Sequence, residues 1–305
     1  MRAEPITGGL FGQNLFLTST SGEYVLRGVP HYPWQFPAER FFARLLHERT
    51  TVPVPWPYLL DPTEDIFGWS YVIMPRMPGL QLSDPNVTAG LSRSDRLRIA
   101  RAMGENLARM HELTWPFAGT YDLVSDSIAR ADDSYNAWAS SIRAMLLRSW
   151  SYSDRTTDAD VEWVERLISE PSPAFDVPYE SCFVLGDYKE QNATVEKRDG
   201  VWRVSGVFDL MEGRFGDGDA DLSRQTGLYL EQDPSLAREF LRSYLTNSSS
   251  RPGLADRLQV YMLHDRLIIW EYCQRPGHRA FWDPELTLQG WAEPYITAVA
   301  ELLAE

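Results

Sequence analysis

The segment Val184-Leu185-Gly186-Asp187-Tyr188-Lys189-Glu190-Gln191-Asn192, followed further on by Val207-Phe208-Asp209, decides how this chain folds. The apolar run at 182–185 is typical of a buried strand. Gly186 then allows the backbone to bend. The strand is therefore expected to end at a bend that presents Asp187.

A short hairpin is predicted between Asn192 and Asp209. Residues 193–196 and 201–204 are β-prone, and the polar turn Asp199-Gly200 lies between them. Because the two strands of a hairpin are antiparallel, its open end brings Asn192 and Asp209 side by side, close to the preceding Asp. Two side chains whose oxygens can hold Mg²⁺ and one carboxylate that can accept a proton are the groups that phosphoryl transfer uses.

Each of these residues also has an ordinary explanation, because Asp and Asn near turns often only accept backbone hydrogen bonds. The joint spacing is more specific: it is the pattern of a protein-kinase catalytic loop followed by a metal-binding Asp. Gly216-Asp217 and Asp221-Leu222 extend the pattern. Together these motifs resemble the aminoglycoside phosphotransferase family, the small-molecule kinases that also include the choline kinases. One residue departs from the family pattern: Leu185 stands where the family has a His that supports the loop.

The resemblance implies an α+β, bilobal protein-kinase-like fold with a small β-rich N-lobe and a larger, mostly helical C-lobe. Residues 1–77 would form the nucleotide-binding N-lobe, and residues 78–305 would form the C-lobe with the catalytic loop and the acceptor site. Asp187 would be the catalytic residue that orients and deprotonates the acceptor hydroxyl. Asn192 and Asp209 would hold the Mg²⁺.

Further N-lobe residues are expected to bind the nucleotide. A glycine-bearing turn contains Gly9 and Gly12, whose backbone N–H groups could approach phosphate oxygens closely. The resemblance implies that Arg27, on the following strand, reaches the phosphates and that Glu39, on the next helix, holds Arg27. The alternative for Glu39 is a surface side chain favoured by the helix N-terminus.

The segment from Met74 to Gly79 matches the family's hinge, where backbone groups bind adenine. It consists of the end of an apolar strand, a short break and a glycine. Met74, Arg76 and Met77 are therefore the expected hinge residues.

Most of the chain after the hinge is expected to be helical, with the acceptor bound between the catalytic loop and the C-terminal helices. Residues 114–133 are interpreted as a mixed loop, and His111 as a structural hydrogen-bonding residue. Asp217, Asp265 and Glu271 are tentative substrate residues that could attract an amine, and Trp270 and Trp282 could stack on rings. For Asp217 and Asp221 the alternative role is to cap the helix that begins near Leu222.

The composition restricts the partners of the protein. The chain has 305 residues and a formal net charge of −14, which argues against a nucleic-acid partner. This charge suits a cationic small substrate, and the alternative is the ordinary acidic balance of many cytosolic proteins. The two cysteines, Cys182 and Cys273, lack metal-ligand spacing and are interpreted as buried or free thiols in a reducing cytoplasm. No apolar segment reaches the roughly 20 residues of a membrane span.

The sequence thus predicts a cytoplasmic kinase that uses ATP, with GTP not excluded, and Mg²⁺. Its acceptor would be a hydroxyl of an aminoglycoside-like antibiotic or of another hydroxylated amine or metabolite. The alternative, suggested by Leu185, is a catalytically weak or inactive kinase-like protein that binds nucleotide and acts as a scaffold.

Overall fold

A computed structural model of the chain describes residues 2–6, 13–169, 172–249, 251–278, 283 and 285–304. The glycine turn with Gly9 and Gly12, and Trp282, lie outside the described residues. No helix among the described residues is long and apolar enough to cross a membrane.

The N-terminal part is an antiparallel sheet of five strands in the order β1-β2-β3-β5-β4. These strands are β1 Arg2–Pro5, β2 Gln13–Ser19, β3 Gly22–Gly28, β4 Leu59–Asp61 and β5 Tyr71–Pro75. Helix α1, Gln35–Arg49, follows β3 and buries Phe42 and Leu46 completely. Its apolar face therefore anchors it in the core, as the spacing of these residues predicts.

The remainder of the chain is mostly helical. The helices are α2 Pro85–Ala89, α3 Arg93–Met110, α4 Tyr135–Tyr152, α5 Asp158–Ile168, α6 Leu222–Gln232, α7 Pro234–Asn247, α8 Leu254–Gln274 and α9 Leu288–Ala304. Ser92, Ser134 and Thr157 cap α3, α4 and α5 by accepting a backbone N–H with their hydroxyl oxygens. The first residues of these helices are therefore specified locally by the sequence.

Two small antiparallel sheets lie within this helical part. One has the order β11-β10-β6 and the other the order β8-β7-β12-β9. Their strands are β6 Leu80–Gln81, β7 Gly119–Asp122, β8 Ser127–Arg130, β9 Cys182–Val184, β10 Ala193–Arg198, β11 Val201–Val207 and β12 Arg214–Gly216. The chain passes from the first sheet to the second between Pro75 and Leu80, and the domain boundary at residue 77 stays a prediction.

The interpretation of residues 114–133 as a loop is wrong, because β7 and β8 form a hairpin there. Each strand has only four residues, and their composition is largely polar. Their local signal is therefore weak. Strand β12, far away in the sequence, pairs with β7 and supplies a tertiary contact that a local pattern does not reveal.

Candidate active site

The catalytic loop begins where β9 ends. Val184 and Leu185 are completely buried, and Gly186 then adopts a φ of 81°. This left-handed conformation is one that glycine adopts far more readily than other residues. The bend places Asp187 at the surface of the core, with 24% of its side chain exposed.

The carboxylate of Asp221 holds this bend from behind. Its Oδ2 accepts a hydrogen bond from the Leu185 N–H at 2.6 Å, and its Oδ1 accepts one from the Gly186 N–H at 2.7 Å. Asp221 does not cap α6 with its side chain. The loop is thus supported by a carboxylate on its backbone, without any polar side chain at residue 185.

His111 lies behind Asp221. Its Nε2 is 3.5 Å from Asp221 Oδ2, and its Nδ1 is 2.9 Å from the hydroxyl of Tyr244. These contacts agree with the interpretation of His111 as a structural hydrogen-bonding residue.

The side chain of Asn192 is hydrogen-bonded directly to Asp187. The amide Nδ2 of Asn192 donates to the backbone oxygen of Asp187 at 3.0 Å and to its Oδ2 at 3.1 Å. The Phe208 N–H donates to the backbone oxygen of Asn192 at 3.1 Å, which closes the open end of the β10–β11 hairpin. None of the described hydrogen bonds uses Asn192 Oδ1, so this oxygen is available to a ligand.

Asp209 lies in the same cluster, with a φ of 65°. Burial raises its pKa to about 6, and the carboxylates of Glu39 and Asp187 act in the same direction, whereas Arg27 opposes them. Burial also raises the pKa of Glu212, again with Asp209 and Asp187 nearby. A bound cation would relieve this repulsion between carboxylates.

The described residues contain no group of three His, Cys, Asp or Glu side chains that could hold a metal ion. The Oδ1 of Asn192 and the carboxylate of Asp209 nevertheless fit Mg²⁺, which takes few protein ligands and completes its shell with phosphate oxygens and water. The sequence analysis did not single out Glu212, although an acidic residue soon after Asp209 was a usable signal.

Two cations flank Asp187, and the sequence analysis identified neither. Lys189 Nζ lies 2.5 Å from Asp187 Oδ2, and Arg224 Nε lies 3.5 Å from Asp187 Oδ1. Lys189 belongs to the quoted loop and was visible in the motif. Arg224 comes from α6, so only the tertiary fold reveals that it reaches Asp187.

Arg27 and Glu39 form an ion pair in the N-terminal part, with Arg27 Nη1 2.6 Å from Glu39 Oε2. Only 1% of Glu39 is exposed, so the surface alternative is wrong. Glu39 also accepts hydrogen bonds from the Tyr58 hydroxyl and, at 3.2 Å, from Gln35 Nε2. Burial disfavours the charge of Arg27, yet Glu39, Tyr58 and Asp209 together more than compensate and raise the pKa of Arg27. Asp209 also stabilises this charge, which links Arg27 to the metal-binding candidate.

The hinge candidates lie at and after the end of β5. Met74 is buried in the core, and the Arg76 N–H donates to the backbone oxygen of Glu23 at 3.0 Å. The Arg76 guanidinium lies 4.1 Å from the centre of the Phe16 ring. Met77 is close to Gly206, where an added Cβ would approach Met77 Cβ to 2.5 Å. These contacts order the segment, and its role towards adenine stays a prediction.

The three acidic substrate candidates are all bound by arginines of the chain. Asp217 contacts Arg251 and accepts a hydrogen bond from the Tyr261 hydroxyl at 2.5 Å. Glu271 pairs with Arg148 at 3.4 Å and Arg275 at 2.8 Å.

Asp265 is the only one of the three that is linked to Asp187. Its Oδ1 lies 2.6 Å from Arg224 Nε. No described contact links Asp217 or Glu271 to Asp187.

Trp270 is not a candidate for stacking on a substrate. It is completely buried and donates from Nε1 to Thr156 Oγ1 at 2.9 Å. This side chain is part of the core.

Solved structures share this fold over nearly the whole chain. A protein of Ralstonia eutropha JMP134, assigned as an aminoglycoside phosphotransferase, is 19% identical, with 99% of this chain and 92% of that chain covered and a TM-score of 0.68. A thermostable mutant of the aminoglycoside phosphotransferase APH(4)-Ia, in complex with ADP and hygromycin B, is 17% identical, covers 100% and 95%, and has a TM-score of 0.67. The enzyme APH(2")-IIa with streptomycin and ATP is 17% identical, covers 100% and 92%, and has a TM-score of 0.58. The fold is therefore the α+β, kinase-like fold that the sequence predicts.

The family is shown by the sequence itself. The chain belongs to the phosphotransferase enzyme family, whose model matches residues 2–257. It is therefore a phosphotransferase. No curated protein matches the chain.

Proposed function

We propose that this protein is an ATP-dependent small-molecule kinase that transfers the γ-phosphoryl group to a hydroxyl of its acceptor. The observation that carries the proposal is the hydrogen-bonded pair of Asp187 and Asn192, with Asp209 beside it at the open end of the hairpin. These are the functional groups of a kinase catalytic loop at the spacing that the reaction needs.

The nucleotide would lie between the first sheet and the catalytic loop. Arg27, steadied by Glu39, would contact the phosphates, while backbone groups around Met74, Arg76 and Met77 would bind the base. Among the structural neighbours, one is a complex with ATP and another with GDP, so use of GTP stays open.

Mg²⁺ would be held by Asn192 Oδ1 and the Asp209 carboxylate. Once bound, the ion neutralises charge on the nucleotide phosphates.

In the reaction, the acceptor oxygen forms a bond to the γ-phosphorus as the bond between that phosphorus and the bridging oxygen of ADP breaks. The proton of the hydroxyl passes to the Asp187 carboxylate. Because the transition state is loose, positioning and charge neutralisation contribute more than the strength of the base. Lys189, in contact with Asp187, is placed to hold that carboxylate in position.

The acceptor is a small hydroxylated molecule. The sequence favours either an aminoglycoside-like antibiotic, which would make the enzyme a resistance factor, or another hydroxylated amine or metabolite. Hygromycin B and streptomycin occur with two of the structural neighbours and are natural first substrates to test. The setting we propose is the cytoplasm, which supplies ATP and keeps Cys182 and Cys273 as the free thiols seen here.

The test is the variant Asp187→Asn, which keeps the shape of the side chain but cannot accept a proton at neutral pH. ADP release with a panel of hydroxylated amines, antibiotics and metabolites should fall by about 100-fold or more. ATP affinity, measured by calorimetry, should change little. Asp199→Asn, in the exposed hairpin turn, makes the same chemical change away from the site and is the control. Equal turnover of the Asp187 variant and the parent would remove Asp187 from catalysis.

A further inference from the structure

Two cationic side chains of the described residues, Lys189 and Arg224, form ion pairs with Asp187. Lys189 lies against one carboxylate oxygen and Arg224 lies 3.5 Å from the other. The side chains of Lys189 and Arg224 are 25% and 15% exposed, so both can be reached from the surface. An acceptor whose hydroxyl reaches Asp187 therefore comes close to these two cations.

Arg224 is held in place but still has hydrogen-bonding capacity. Its Nε lies 2.6 Å from Asp265 Oδ1, and Asp265 is itself fixed by two hydrogen bonds from Arg266, at 3.1 Å and 2.6 Å. None of the described hydrogen bonds uses an N–H of Arg224, and its buried Nε–H is not aligned with either neighbouring carboxylate. A guanidinium has five N–H donors in a rigid fork that matches a carboxylate or phosphate. The ion pair with Asp265 thus holds the Arg224 side chain in position, and N–H groups of its guanidinium remain available to a ligand.

The carboxylates that an ammonium group would need are already neutralised. Asp265, Asp217 and Glu271 are bound by arginines of the chain, and Asp219 pairs with Arg257 at 2.8 Å. Glu212 differs, since no arginine pairs with it among the described residues and the charges acting on it are those of Asp209 and Asp187. It therefore belongs with the metal-binding candidates. Of the acidic groups around Asp187, Asp209 and Glu212 are thus assigned to the metal, and the ion pairs of Asp187 are with Lys189 and Arg224.

We propose that the acceptor carries an anionic group, such as a carboxylate, close to the hydroxyl that is phosphorylated, and that Arg224 binds this group. The inference rests on the proposed kinase function and selects, among its acceptors, a hydroxylated metabolite with an anionic or zwitterionic character over a polycationic antibiotic. A charge-assisted bond from a guanidinium to a carboxylate is about twice as strong as a neutral hydrogen bond. Arg224 is accordingly a specificity-determining residue.

The experiment uses two sets of polyols whose hydroxyl groups match and whose charge differs. One set is gluconate, glucitol and glucamine, and the other is glycerate, glycerol and 3-amino-1,2-propanediol, with hygromycin B added as a polycation. The kcat/KM for ADP release is measured with the parent, Arg224→Gln and Arg224→Lys. Arg242→Gln, which removes an exposed arginine of α7, is the matched control.

We expect the carboxylate member to exceed the amine member by about tenfold or more in kcat/KM with the parent, a difference that one charge-assisted contact can provide. Arg224→Gln should remove most of this preference by raising KM for the carboxylate. Arg224→Lys should retain part of the preference, and the control Arg242→Gln should retain all of it. A preference for the amine or for hygromycin B, or a carboxylate preference that survives in Arg224→Gln, overturns the proposal and leaves the kinase function intact.

Thermal melts of the ATP-loaded protein with the same compounds give a readout that needs no turnover. The carboxylates should raise the Tm of the parent and not that of Arg224→Gln. If the carboxylate, neutral and amine compounds shift the Tm equally, or if neither carboxylate shifts it, the proposal of an anionic acceptor is overturned. Absence of ATP binding by the parent is a separate result, which would overturn the proposed function itself.

Discussion

At the scale of a single residue, Leu185 tests how the catalytic loop is supported. Leu185 is completely buried in the hydrophobic core, and both oxygens of Asp221 are already used by backbone N–H groups of the loop. Leu185→His would bury an imidazole in an apolar pocket and should lower the free energy of unfolding by about 1–3 kcal/mol. A denaturant melt measures this cost, and Leu185→Met, a change that nearly conserves volume, should cost less.

The turnover of Leu185→His, measured beside its stability, shows whether the pocket around residue 185 is apolar or retains a polar partner. An unchanged melting temperature together with faster turnover would contradict the apolar interpretation. It would show that this loop retains a polar partner for a His side chain.

The residues of the catalytic loop were predictable because their motif is local. Asp187 and Asn192 belong to one loop, and a single hairpin separates them from Asp209, so their spacing reveals their proximity. Arg224 and Asp265 lie on α6 and α8, and only the packing of these helices brings them to Asp187. No pattern in the sequence distinguishes Arg224 from other charged helical residues, and Asp265 was predicted only as a substrate residue, without its link to Arg224.

At the scale of secondary structure, the β10–β11 hairpin is the element whose prediction is best explained. Asp199 and Gly200 have φ values of 52° and 78°, the left-handed pair that a two-residue hairpin turn requires. The signal is strong because Asp and Gly tolerate that conformation. The β7–β8 hairpin lacks such a strong turn signal, and its pairing with β12 is a tertiary contact, so the sequence analysis missed it.

The geometry of the β10–β11 hairpin also predicts how Mg²⁺ affects ATP binding. Because it brings Asp209 next to Asn192, Mg²⁺ bound with ATP should gain two protein ligands at once. Calorimetry should show that Mg²⁺ tightens ATP binding by the parent and that Asp209→Asn abolishes this gain. Asp199→Asn, at the other end of the same hairpin, should retain it. If the Asp209 variant kept the full Mg²⁺ dependence, Asp209 would not be part of the metal site.

At the scale of the whole molecule, the net charge of the chain does not determine the charge that a substrate meets at the site. The formal net charge of −14 comes from 43 acidic and 29 basic residues, and this excess suits a cationic substrate. In the structure the arginines bind the acidic side chains of the C-terminal part, as in the pairs of Asp217 with Arg251 and of Glu271 with Arg275. Net charge is a property of composition, whereas the charge that a substrate meets depends on which side chains remain unpaired. Composition therefore could not predict the acceptor.

The pH dependence of global stability offers a last test, through His264 on α8. This ring contacts Trp138 and lies 3.0 Å from Ser141 Oγ on α4. Burial lowers its pKa to about 4; Arg214 and Arg224 act in the same direction and Asp265 opposes them. In the unfolded chain the pKa of a His is about 6.5, so between these values the unfolded state binds a proton that the folded state does not.

The contribution of His264 to stability should therefore fall as the pH falls from about 6.5 towards 4. Between pH 7.5 and pH 5 the His264 contribution amounts to about 2 kcal/mol of lost unfolding free energy. The raised pKa values of Asp209, Glu212 and Glu190 act with the opposite sign, since a folded state that holds a proton more tightly gains stability on acidification. The measurement is thus the difference between the parent and His264→Gln in urea unfolding at the two pH values, because this difference cancels the contributions of these carboxyl groups. The parent should lose about 2 kcal/mol more than the variant, and equal losses would show that His264 titrates normally and is accessible to water in the folded protein.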